Sequence, residues 1–226
     1  MTNPARKLTT WSWKDTLLLI IAASPTLLAL WVYERLPDQM AIHFGTGGQP
    51  NGYQSKLSFI FLISLLNLAL PLMMKWLLPS LDPGRKNYEK FQGFYDLFRL
   101  MMTLLLSGAF FLTLLYNLGY DISIEMWVPL FVGILWMIVG NYMGRARPNY
   151  TFGIRTPWTL ANEEVWRRTH RMAGPIWMIA GIIFIGVSLI PAIIPPWFAF
   201  TAVVLSILIP TIYSYLSYRK LSQSDM

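Results

Sequence analysis

Three features of the sequence bear on acid–base or metal chemistry: two histidines, His43 and His170, the complete absence of cysteine, and one adjacent acid pair, Glu163-Glu164. Neighbouring helical residues point apart, so that acid pair does not face one cleft as a two-carboxylate hydrolase requires. The histidines lie in different polar connections with three apolar runs between them, which puts them on opposite sides of a bilayer, about 30 Å apart or more. At that separation they share neither a metal nor a proton relay. No H-E-x-x-H, G-x-S-x-G or phosphate-binding loop is present, and the sequence predicts no enzyme, no metal site and no cofactor. What it offers instead is arginine. The stretch from Gly140 to Arg171 holds six arginines and the helix-stopping Pro148 and Pro157. A guanidinium grips a carboxylate or phosphate with two parallel hydrogen bonds, so Arg145 and Arg155 are candidate binding residues. Snorkelling of the same side chains to lipid headgroups is the competing reading.

The elements that must position these loops are membrane spans. Of the 226 residues, 55% are hydrophobic and only 13% charged, and the mean hydropathy is +0.46, as in a polytopic membrane protein. About 20 mostly apolar residues cross a bilayer as a helix. Six such runs occur, at Leu17–Tyr33, Leu57–Leu78, Leu97–Tyr116, Met126–Met143, Met172–Ile190 and Trp197–Tyr215. They are continuously apolar, unlike barrel strands, so their backbone groups must pair within helices. The expected fold is all-α, a single polytopic membrane domain of six transmembrane helices with a small extracytoplasmic cap and an inner-face amphipathic helix. The first run is too long for a cleaved signal and reads as a retained anchor.

Sixteen of the 18 cations fall on one side of this arrangement, the side of both termini, and only Arg35 and Lys56 on the other. The positive-inside rule then places both termini in the cytoplasm of a bacterial cell. The inner cations, which include Arg6 and Lys7, are spread over four segments. They suit orientation and anionic headgroups rather than direct binding of nucleic acid. Trp11, Trp13, Trp31, Trp76, Trp127 and Trp197 sit near span ends as belt anchors, while Trp136 and Trp177 lie deeper as packing residues. Pro25, Pro71 and Pro210 favour kinks. The span interiors read as free of ionisable residues, which disfavours coupled transport. Asn67 is expected to join helices by a hydrogen bond.

Both polar loops are patterned. In Glu34–Lys56, residues 40–44 alternate as in a short strand, Gly45, Gly47 and Gly48 loosen the backbone, and Pro50-Asn51-Gly52 reads as the turn. Such a cap either meets an outside ligand or is a lid on the helix ends. In the inner loop, Pro148-Asn149 stops the fourth helix, Gly153 allows a turn, and Asn162 caps a helix with Glu163 and Glu164 in its first turn. Val165, Trp166, Thr169 and Met172 share one face of it. His170, one turn after Trp166, reads as its packing partner.

Two sets of residues carry a family resemblance. Pro37, Ile42-His43-Phe44, Gly48 and Lys56, within 15–78, resemble an N-terminal module common in a group of bacterial membrane proteins. Gly140-Asn141, Pro148-Asn149, Gly153-Ile154-Arg155-Thr156-Pro157-Trp158-Thr159-Leu160, Val165-Trp166 and Thr169-His170-Arg171 resemble the loop motif of the SdpI family, whose portion would span 97–217 with its loop at 144–171. The resemblance implies membrane immunity or resistance to a secreted peptide toxin. It also implies a small helix-turn-helix repressor as inner-face partner, besides the membrane lipids themselves. The toxin-response residues would be Arg145, Asn149, Gly153, Arg155, Thr156, Pro157, Trp158, Trp166 and His170. A signalling receptor and a small-solute or lipid transporter stay open beside it.

Overall fold

The computed structural model describes residues 10–45 and 47–224, the side chain of Ser224 excepted; Arg6 and Lys7 lie outside the described residues. Among the described residues, six helices are long and apolar enough to cross a membrane. The first is α1, Trp13–Trp31. A single turn of 3-10 helix at Tyr33–Arg35 leads into β1, Gln39–Phe44, and β2, Pro50–Ser55. The second span is α2, Lys56–Leu72, continued through a wide π-helical turn at Met73–Leu77 into the short α3, Leu78–Leu81. A 3-10 segment, Arg85–Phe91, enters the third span, α4, Gln92–Asn117. The fourth is α5, Ile124–Met143. Then come the short α6, Pro157–Ala161, the fifth span α7, Glu163–Leu189, and the last, α8, Trp197–Ser224.

The strands form an antiparallel hairpin. The turn lies not at Pro50-Asn51-Gly52, as the sequence suggests, but earlier, where Gly48 takes a φ of +72°. Pro50 opens β2 instead, an edge position that needs no ladder donor. Irregularities between Ala41 and Phe44 break the simple alternation, and before them Met40 and Ala41 are both buried. The hairpin packs on the ends of α1, α2 and α4 through Ala29, Val32, Leu36, Met40, Ile60, Phe110 and Leu114.

Two different devices join the spans. Between α5 and α7 it is glycine. A Cβ at Gly133 would stand 2.7 Å from the Gly181 carbonyl oxygen, and one at Gly140 2.8 Å from that of Gly174. Two glycines seven residues apart on each antiparallel helix thus bring the backbones into contact twice, the membrane solution in which dispersion replaces hydrophobic burial. Among α1, α2 and α4 the joints are polar. Asn67, fully buried, donates to the Ala22 carbonyl at 2.9 Å and lies 3.2 Å from the Ser107 hydroxyl, the helix-joining role expected of it.

The expectation of uncharged span interiors is overturned. Asp15 lies just before the first apolar run, Lys75 and Arg99 lie near the ends of the second and third, and the three meet in a buried cluster. Arg99 donates to Asp15 at 2.8 Å, Lys75 pairs with it at 3.0 Å, and Ser12 supplies its backbone N–H and hydroxyl at 2.8 and 2.7 Å. The wide turn at Met73–Leu77 carries Lys75 inward, and Arg99 also donates to the Pro71 carbonyl at 3.3 Å. Two cations share the one Asp15 carboxylate, and Asp96, 3.8 Å from Arg99, supplies the second negative charge that makes their burial tolerable. Deeper in the other half, Trp136 meets Trp177 edge to face at 5.7 Å, as packing residues should.

Candidate functional site

The patterned residues gather at opposite ends of the bundle. The motif loop, residues 144–162, lies at the end where α3 turns into α4, whereas the hairpin lies at the end where α4 turns into α5 and α7 into α8.

At the loop end, Asn149 is buried and satisfies three backbone groups. Its Oδ1 accepts from the Thr151 and Phe152 N–H groups and its Nδ2 donates to the Arg147 carbonyl, each at 2.9 Å. Asp82, which the sequence reading did not single out, is the hub. Its carboxylate accepts from Gly84 N–H, the Tyr88 hydroxyl, Tyr150 N–H and the Thr151 hydroxyl. Asn87 adds a bond to the Pro148 carbonyl at 2.8 Å. Phe152 then drops into a cluster of Phe91, Phe94, Tyr95 and Phe98. The loop is therefore welded to the connection between the second and third spans. A carboxylate taking four donors through a gap of 68 residues to Tyr150 leaves no periodic trace.

Gly153 makes the expected turn, with φ +100°, and a Cβ there would stand 2.5 Å from His170 Nε2. That nitrogen accepts the Ile154 N–H at 3.0 Å, while Nδ1 lies 2.9 Å from the Trp166 carbonyl. The bond from Ile154 requires a bare Nε2, so the ring is the neutral tautomer with its proton on Nδ1. It stacks on Trp166 with centroids 4.0 Å apart, and the Trp166 indole donates to the Ala146 carbonyl at 3.0 Å. Thr156 caps α6, with Pro157 in its first turn, and its hydroxyl reaches Ser214 of α8 at 3.0 Å. Trp158 packs on Tyr215 of the same helix. Asn162 caps α7 as expected, accepting from the Glu164 and Val165 N–H groups. The amphipathic inner-face stretch is thus the first turns of α7 rather than a separate helix.

The arginines divide from this network. Arg145 is exposed and lies over the Tyr142 ring, 4.7 Å from its centroid. Arg155 is exposed and donates to the Tyr150 carbonyl. Arg167 grips Glu164 in a fork at 2.7 Å, and Arg168 shares that carboxylate. The nine predicted loop residues therefore form one connected region. Asn149, Gly153, Thr156, Trp166 and His170 hold its shape, and Arg145 and Arg155 face outward from it.

At the hairpin end, Lys56 pairs with Asp38 at 3.1 Å, donates to the Leu36 carbonyl and lies over Tyr33. Pro37 is exposed, His43 meets Asn51 at 2.5 Å, and Phe44 packs edge-on to Tyr116. Asn117 of α4 acts as a one-residue strand, its amide accepting the Ala41 N–H and donating to the Ala41 carbonyl. Glu125 closes over the turn, where any side chain at Gly48 would collide with its carboxylate. Between the hairpin, the start of α5 and the α7–α8 connection lies a cleft of about 650 Å³, with Ile42, His43 and Phe44 in its wall. His43 and His170 stand at opposite ends, and no group of three or more potential metal ligands occurs among the described residues.

Comparison with known proteins agrees with this division. Residues 145–214 match the SdpI/YfhL protein family, and residues 20–68 match a domain of unknown function, DUF1648. The immunity protein SdpI of Bacillus subtilis (strain 168) is 31% identical over 211 residues, covering 93% of this chain and 99% of that protein. No solved structure matches. A family match across the loop and the spans that follow it, and an identity sustained over nearly the whole of both chains, show that the chain belongs to the SdpI family.

Proposed function

We propose that this chain is a membrane immunity protein that protects the cell carrying it from a secreted peptide toxin. The observation that carries this reading is the likeness to an immunity protein over 93% of the chain, with both patterned ends inside the matched length. The loop end faces the cytoplasm and the hairpin end the outside, because the described cations gather at the loop end. A toxin arriving from outside then meets the hairpin end first, and the arginine face of the loop is its inner counterpart. A second reading, capture of a small helix-turn-helix repressor, is supported by one observation: Arg145 and Arg155 are exposed on a loop that the Asp82 and Asn149 bonds hold rigid.

The test is survival of toxin-sensitive cells expressing the chain and challenged with sporulation-delaying-type peptides, scored against its level in the membrane. Wild type should protect. Arg155→Ala should lose protection at normal abundance, since hydrogen bonds to charged groups contribute about 1.5–3 kcal/mol. Arg155→Lys should restore it only in part, as a point charge does not reproduce the fork. No protection by wild type against any such peptide defeats the reading. Protection that survives Arg155→Ala moves the working part away from the loop. Orientation has its own test, helped by the natural lack of cysteine. Single cysteines at Gly47, Ser123 and Pro195 should react with an impermeant maleimide outside intact cells, and those at Ser80, Asn162 and Ser222 should not.

A further inference from the structure

We propose that the cleft at the hairpin end is a binding site for an apolar peptide segment bearing a positive charge. The inference rests on the immunity reading and names where the peptide is met. The cleft is enclosed by three separate connections, and its volume of about 650 Å³ is in the range that accepts a ligand of several side chains. Its walls are apolar, with Ile42 and Phe44 from the hairpin, Met126 and Val128 from α5, Val187 from α7 and Ala199 from α8. Pro129, Pro191 and Pro196 stiffen three of those walls. The cleft is therefore largely formed before anything enters it.

Charge selects the occupant. Glu125 lies on the rim, and no lysine or arginine is among the described lining residues. Glu125 makes no ion pair among the described residues, whereas Lys56, the cation of the hairpin, is already held by Asp38. Asp121, exposed just before α5, adds a second negative charge nearby. An apolar floor with a carboxylate at its lip complements a hydrophobic segment carrying an ammonium or guanidinium group. The surroundings favour delivery along the membrane. Ile193, Trp197 and Phe200 beside the cleft are 74%, 59% and 72% exposed, an apolar approach for a peptide already dissolved in the bilayer interface. On the free edge of β1, Asn117 already occupies both backbone groups of Ala41, which leaves side chains as the cleft's main means of holding a ligand.

The experiment uses the full chain in nanodiscs of phosphatidylethanolamine and phosphatidylglycerol. Two synthetic probes rich in leucine, isoleucine and phenylalanine carry a photoreactive diazirine and differ only in ending with two lysines or two glutamates. The lysine probe should cross-link to the segments around Phe44, Met126 and Ala199. Its yield should fall about tenfold, or about 1.4 kcal/mol, in Ala199→Trp, which narrows the cleft. Glu125→Lys should exchange the preference, so that the glutamate probe labels and the lysine probe does not. Cross-links that map to other segments, or yields unchanged in both variants, overturn the proposal. The protection assay separates the two claims. Cleft labelling with no protection by wild type removes the immunity reading and keeps the site. Protection undiminished in Ala199→Trp at equal membrane level, with no cleft labelling, removes the site and keeps immunity.

Discussion

The two ends of this bundle are built on opposite plans. At the loop end the buried polar side chains are spent on structure: Asp82, Asn149, Thr156 and His170 each satisfy backbone or hydroxyl partners. At the hairpin end the chain encloses space, and its rim carboxylate Glu125 is left unpaired among the described residues. The contrast teaches that patterned sequence marks both ends alike, while only the bonding shows which end is rigid and which encloses space. A buried polar network tolerates few substitutions because each unpaired group costs its full desolvation, whereas the walls of an apolar cleft need only size and shape.

The contrast can be broken by substitution. The largest effect should come from Asp15→Leu, which leaves Lys75 buried without its carboxylate and Arg99 with only Asp96, 3.8 Å away. Losing one partner of a buried pair costs about 3–5 kcal/mol, and thermal unfolding in detergent should show it; a loss under about 1 kcal/mol would mean that water reaches the cluster. Asn149→Ala should follow, at about 1–3 kcal/mol. Hydrogen exchange at Thr151 and Phe152 should accelerate while that of residues 39–55 does not change, and acceleration at both ends would deny that they are independent. Gly153→Ala should cost about 1–2 kcal/mol from its left-handed backbone, besides its collision with His170. It should be read against Gly47→Ala at the hairpin, where a Cβ meets nothing within 4 Å. That variant should stay within about 0.5 kcal/mol of wild type, and a larger loss would show the hairpin end to be as tightly built as the loop end.

Local chemistry was legible in the sequence. The six spans followed from hydropathy, the Asn162 cap from its position before two acids, the Gly153 turn from its setting, and the Trp166–His170 stack from their spacing of four. What escaped was long-range. Asp15 finds Arg99 across 84 residues and Lys75 by way of a π-helical turn, and no window of hydropathy contains both partners. Asp82 stood in a connector with no pattern of its own. The turn of the hairpin was placed at Pro50-Asn51-Gly52 because that tripeptide is a strong turn signal, but Gly48 beneath Glu125 took the left-handed conformation instead. The glycine seam did leave a signal, a spacing of seven in Gly133 and Gly140 and again in Gly174 and Gly181. It is visible only if the two spans are compared.

The carboxylate of Asp15 also has a consequence for how the chain is made. When α1 leaves the ribosome, Arg99 is still 84 residues away, about 4–17 s of synthesis at ordinary elongation rates. Until then Asp15 has no guanidinium to meet. It must wait at the water-facing edge of the bilayer, drawn no deeper than Ser12 and the headgroups allow. Lys75 can reach Asp15 as soon as the second span is made, and the guanidinium follows only with the third, so the first span gains its charge partners in two steps.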